Sequence, residues 1–108
     1  MKFLVIGHYR DSWWSSPPQK QAEIAAASSA FVDKQRKSGK LKELYSLGSM
    51  RGPVGIWNFA SDEEMGRVFR ESPMYAFLDV DVIPIMDLDT AAKINAAFTR
   101  PAKKVGKK

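Results

Sequence analysis

An α+β domain built on a four-stranded antiparallel sheet is what the sequence predicts. Three observations predict it. An apolar, β-branched run opens the chain, a proline-started helical segment follows, and strand and helix signals return in the same alternation after a hairpin. The length of 108 residues suits one domain of this kind.

Each element has a local cause. Phe3 to Tyr9 reads as a strand apolar on both faces. Asp11-Ser12-Trp13-Trp14-Ser15 reads as a loop. Ser16-Pro17-Pro18-Gln19 reads as a helix start, with Ser16 as cap, Pro17 in the first turn and Gln19 closing a capping box. That helix is expected to reach about Ser38. Ile24, Ala27 and Phe31 form its buried stripe, Lys34, Arg36 and Lys37 suit the dipole at its end, and Gly39 stops it. Leu41 to Met50 and Val54 to Ala60 read as a hairpin turning at Gly52-Pro53. Ser61-Asp62-Glu63-Glu64 is a capping box opening a helix with Met65, Val68 and Phe69 inward, ended at Ser72-Pro73. Phe77 to Met86 alternates Asp79 and Asp81 with Val80 and Val82, and Pro84 implies a bulge, a strand end or an edge position. Asp87 or Asp89 would cap a last helix carrying Ile94 and Phe98, stopped before Pro101.

The order strand, helix, strand, strand, helix, strand is the ferredoxin-like βαββαβ pattern. Residues 1–87 form this domain, and residues 88–108 form a C-terminal helix and basic tail. Helices would cover one side of the sheet. The other side, with Trp57, Phe59 or Ile56 on it according to register, would be bare, at a cost of roughly 25 cal/mol per Å² of apolar surface. A second copy or the C-terminal segment is expected to cover it, so a homo-oligomer is expected.

Composition closes several function classes. Without cysteine there is no disulfide framework, thiolate metal site or cysteine nucleophile, and His8 is the only histidine, so no metal site is expected. The net charge of +5 resides in Arg100, Lys103, Lys104, Lys107 and Lys108; the 12 basic residues that remain balance 12 acidic ones. A neutral body argues against nucleic acid as a partner. No glycine-rich dinucleotide fingerprint or phosphate-binding loop occurs. The run Phe3–Ile6 is too short for a signal core or a membrane span, so a cytoplasmic protein with no membrane partner is expected.

Several segments, in order, resemble the muconolactone delta-isomerase-like family of dimeric α+β barrels. They are Met1-Lys2-Phe3-Leu4-Val5, Gln35-Arg36-Lys37-Ser38-Gly39-Lys40-Leu41, Leu44-Tyr45-Ser46-Leu47-Gly48, Ile56-Trp57-Asn58-Phe59, and the block from Ser72-Pro73-Met74-Tyr75 to Pro84. The resemblance implies a barrel made by two sheets, further association of those dimers, and a pocket between sheet and helices. It also implies cofactor-independent chemistry: a proton moved within an unsaturated lactone, or halide eliminated from one. The chain departs from that family at two places. Met50-Arg51 stands where the isomerases carry a His-Tyr step, and Ala25 to Ala30 stands where they carry charged residues.

The chemistry-bearing residues can be read two ways. His8, at the end of the first strand, is either a general acid/base or a hydrogen-bonded strand-end histidine. Arg51 at the hairpin either holds an anion or is a solvated turn arginine. Trp13 and Trp14 either wall a pocket for a flat ligand or plug the barrel. Tyr9, Tyr75 and Met50 are the remaining candidate substrate contacts, with core or interface packing as their other reading. Asp79 and Asp81 read as structural. The Ala25–Ala30 run reads as close packing on the sheet.

The expected function is a cofactor-independent isomerase- or lyase-like enzyme for a small lactone or related oxygenated ring. His8 would carry the proton and Arg51 would hold the anion. The alternative is a noncatalytic small-molecule-binding or pathway-accessory barrel. A pocket containing His8 or Arg51 would favour the enzyme, and an apolar pocket with both outside would favour the binder.

Overall fold

The computed structural model describes the backbone of residues 1–106 and the side chains of residues 1–99. The elements are β1 (Lys2–Tyr9), a one-turn helix α1 (Asp11–Trp14), α2 (Pro18–Lys37), β2 (Leu41–Ser46), β3 (Pro53–Asn58), α3 (Asp62–Glu71), a 3-10 turn (Tyr75–Phe77), β4 (Leu78–Ile85) and α4 (Leu88–Gly106). The strands form one antiparallel sheet in the order β2-β3-β1-β4, which is the ferredoxin-like arrangement. Pro84 stands on β4, an edge strand, where a missing N–H costs no ladder bond.

Alternation along β1 divides the sheet into two faces. Phe3, Val5 and Gly7 are buried on the helix side, while Leu4, Ile6 and His8 look outward. Phe3 and Val5 join Leu41, Trp57, Phe59 and Val68 in the core, onto which α2 places Phe31 and Val32 and α3 places Met65 and Phe69. Trp57 stacks on Phe59 at 5.3 Å, and Phe69 meets both rings edge-on. Phe59 is 1% exposed, so its truncation to alanine would cost roughly 3–5 kcal/mol. Of the three residues expected for the bare side of the sheet, only Ile56 is there. Trp57 and Phe59 are buried under the helices, because Asn58 sets the outward phase of β3.

Local signals were redirected at five places. Trp13 and Trp14 sit on a helical turn rather than a loop. The Ser16 hydroxyl donates to the Ser12 carbonyl at 2.7 Å, and the Gln21 amide donates to the Trp13 carbonyl at 2.8 Å. Ser16 is therefore spent on that turn, and α2 starts one residue later than expected, with Pro17 as an N-cap that makes no side-chain bond. The stripe of α2 is also rotated. Ala27 and the other alanines of the Ala25–Ala30 run are exposed, while Ser28, Phe31 and Val32 are partly buried and Gln35 is buried.

The hairpin turns at Gly48 to Met50, not at Gly52-Pro53. Leu47 donates to the Gly52 carbonyl at 2.8 Å, Met50 donates to Leu47 at 2.9 Å, and Met50 takes a left-handed φ of 64°. Gly52 is needed for a different reason. A β-carbon there would fall 1.8 Å from the Gly7 carbonyl oxygen, so the chains can approach only without a side chain.

Ser61 does cap α3. Its hydroxyl accepts from the Glu64 N–H at 3.1 Å, and the Glu64 carboxylate accepts from the Ala60 N–H at 3.1 Å. The last helix runs past Pro101 to Gly106 instead of stopping before it. Proline's fixed φ is compatible with a helix, and the carbonyl it leaves unbonded on this outlying helix can be solvated. The body of α4 stands away from the sheet: Leu88 and Phe98 are 84% and 82% exposed, and the molecule is 71 Å long. The basic side chains from Arg100 onward lie outside the described side chains. No helix among the described residues is long and apolar enough to cross a membrane.

Candidate functional site

The helix-side face of the sheet does not close completely on α2. Gly7 and Gly55 carry no side chains, and Ser28 on α2 carries a small one, so a cavity of about 270 Å³ remains between them. Val5, Leu41, Leu44 and Val80 form its sheet wall and Phe31 and Val32 its roof. The segment from Ser72 to Leu78 contributes Ser72, Met74, Tyr75 and Leu78. No carboxylate, imidazole or cationic side chain lines it. Its polar groups are hydroxyls, of Tyr9, Ser28, Ser72 and Tyr75, together with the indole nitrogen of Trp57. Such walls suit a small ring with apolar faces and a few oxygens at its edge.

A second, open groove of about 300 Å³ lies at the hairpin tip, lined by Trp14, Ser49, Met50 and Arg51. Tyr9 stands between the two hollows. Its N–H donates to the Arg51 carbonyl at 2.9 Å. Its ring stacks on Trp13 at 5.6 Å, meets Trp14 edge-on at 5.5 Å, and lines the cavity. Trp13 also packs edge-on against Phe77 at 5.7 Å and lines neither hollow, so the two adjacent tryptophans have different surroundings.

The sequence candidates therefore fall into three groups. Tyr9 and Tyr75 line the cavity. Trp14, Met50 and Arg51 line the groove beside it. His8 is exposed on the opposite face of the sheet, across from Asp79 on β4, because the residue after Gly7 must point the other way. Asp79 is itself paired with Arg10 at 2.8 Å. Among the described residues, no three histidine, aspartate or glutamate side chains converge to hold a metal ion.

Sequence reasoning missed Ser28, Gly55, Trp57 and Met74 as cavity residues. The signal for two of them is the alternation Gly55, Trp57, Phe59 against Val54, Ile56, Asn58, since Asn58 marks the outward set. Ser28 carries the weaker signal of being a polar residue one helical turn from both Ile24 and Phe31.

A family model described as muconolactone delta-isomerase matches residues 1–90. The chain belongs to the muconolactone delta-isomerase family. Among solved structures, that of muconolactone isomerase itself superposes with a TM-score of 0.70 at 15% identity, covering 81% of this chain and 90% of that one. A 5-chloro-2-hydroxyhydroquinone dehydrochlorinase from Burkholderia phenoliruptrix AC1100, in complex with 2,5-dihydroxybenzoquinone, superposes with a TM-score of 0.63 at 17% identity, covering 83% and 98%. At these identities the superpositions establish the shared fold. No curated protein sequence matches the chain. The family match ends near the start of α4, so most of that helix lies beyond it.

Proposed function

We propose that the chain is an isomerase- or lyase-like member of the muconolactone delta-isomerase family that takes a small oxygenated ring, such as an unsaturated lactone, into the cavity beneath α2. The observation that carries this reading is the cavity itself. It is apolar, about 270 Å³, and edged by hydroxyls. Family membership and a structural neighbour bound to a dihydroxybenzoquinone support a ligand of this shape.

Proton transfer beside a carbonyl needs a group that exchanges the proton and a group that steadies the developing negative charge. Tyr9 and Tyr75 are the phenols of the cavity wall and the proton-exchanging groups in this reading. Arg51 lines the groove on the other side of Tyr9, not the cavity, and holds the anion in this reading for a ligand that reaches past Tyr9 into that groove. His8 enters it only through a second copy laid against the outer face of the sheet, because its own cavity lies on the other side. That second copy would cover Leu4, Ile6, Val54 and Ile56 on the same face.

The uncharged lining favours a second reading, a barrel that binds such a ring without transforming it. Deuterium uptake at the carbon beside the carbonyl of an unsaturated γ-lactone in deuterium oxide separates the two. The enzyme reading expects protein-dependent uptake that falls on the order of a hundredfold in Tyr9→Phe or Arg51→Gln. Binding of the lactone with uptake at the protein-free rate establishes the binder instead.

A further inference from the structure

Trp57 is the one nitrogen-bearing side chain in the wall of the cavity. It is 7% exposed, fixed by stacking on Phe59 and by the edge of Phe69. Its position along the strand is set by Gly55. The indole nitrogen lies 2.7 Å from the point where a β-carbon on Gly55 would begin, so the nitrogen edge lies over a bare stretch of backbone at the cavity floor. An indole N–H is a donor only and finds a partner when buried in a finished site. Here no side-chain or main-chain oxygen among the described residues accepts from it. Among the described residues, the one fully sealed side-chain polar atom without a partner is Gln35 Oε1, which lines neither hollow. The Trp57 nitrogen is not among the sealed atoms, and both Trp57 and the Gly55 it lies over line the hollow.

We propose that the Trp57 indole N–H is a ligand-positioning donor, seating an acceptor oxygen of the bound ring (a carbonyl or ring-substituent oxygen) on the cavity floor. The proposal rests on the reading of the cavity as a ligand site and adds to it which edge of the ring points inward. The neighbouring floor residues, Val5, Leu41 and Gly55, offer no competing donor side chain. An oxygen entering this end of the cavity is satisfied by Trp57, and a hydrocarbon edge there leaves a buried donor unpaired. The chain thus selects for an oxygenated ring by the penalty it places on the bare one.

The indole proton is observable. With nitrogen-15 labelling, the three tryptophans give three indole cross-peaks, and Trp57→Phe identifies one by its loss. The wild-type protein is titrated with cyclohexenone and, separately, with cyclohexene, a ring of the same size without oxygen. The absence of cysteine leaves no thiol for the enone to alkylate. The proposal expects cyclohexenone to move the Trp57 proton downfield, as a newly accepted hydrogen bond does, and cyclohexene not to. It also expects Trp57→Phe to weaken cyclohexenone binding by about tenfold while leaving cyclohexene binding within about twofold. If both rings bind alike and the Trp57 proton stays in place, the proposal falls and the cavity remains a ligand site. If neither ring binds, both readings fall. The wild-type titration decides the matter even where Trp57→Phe does not fold.

Discussion

The indole nitrogen of Trp57 and the α-carbon of Gly55 are packed so closely that a β-carbon on Gly55 would fall 2.7 Å from the nitrogen. The two residues are neighbours on the inner face of β3, and one has no side chain because the other lies across it. Gly55→Ala must therefore move an indole that two phenyl rings hold. Overpacking of this kind costs about 1–3 kcal/mol. Denaturant titration should show that loss. An alanine variant as stable as the wild type would mean that the indole is free to turn.

Met50 carries the strain of the hairpin. Its φ of 64° is costly for any residue with a side chain and free for glycine. Met50→Gly exchanges that strain for extra freedom in the unfolded chain, and the net is expected to be a stabilisation of up to about 1 kcal/mol. A lower melting temperature would show that contacts of the methionine side chain outweigh the strain.

The Tyr45 hydroxyl donates to the Glu43 carboxylate, and that bond together with the nearby negative charge raises the phenol above its ordinary value. Tyr45 should therefore titrate late in an absorbance titration, and Glu43→Gln should bring it back. The sign for stability follows from a folded-state value raised above the unfolded one. The contribution is whole below the unfolded phenol value and is lost as pH rises through the folded one. An unmoved Tyr45 in Glu43→Gln would remove the bond from the account.

Leu88 and Phe98 lie almost wholly in solvent. Truncation to Ala or Ser at either position should change the unfolding free energy of the single chain by less than about 0.5 kcal/mol. Dilute samples should be used, so that association does not contribute. A larger loss would require that α4 folds back onto the domain.

The order of elements was legible because each strand and helix carries its own local signal. The capped start of α3 at Ser61 and the edge proline in β4 are examples. What could not be read were competitions between neighbours. Ser16 has one hydroxyl, and whether it caps α2 or bonds Ser12 depends on how Trp13 packs against Tyr9 and Phe77. Gly52 looked like a turn residue, yet its glycine is demanded by the Gly7 carbonyl on a strand far away in sequence. The candidate site divided for a related reason. The strand pleat directs His8 and Tyr9, and a single helical turn directs Trp13 and Trp14, to different surroundings, and which member of each pair meets a hollow depends on the packing of distant elements.

That division has a consequence for how such a chain could acquire a new chemistry. Along β1 the reading frame alone decides which ring system faces the cavity: with the present frame a phenol, and after a slip of one position an imidazole. The slip is opposed at Gly7, where a β-carbon would meet the Pro53 ring at 3.2 Å, so the isoleucine or histidine that would replace it needs Pro53 to give way. A lineage starting from this scaffold thus reaches histidine chemistry more readily by substituting Tyr9 than by shifting the strand.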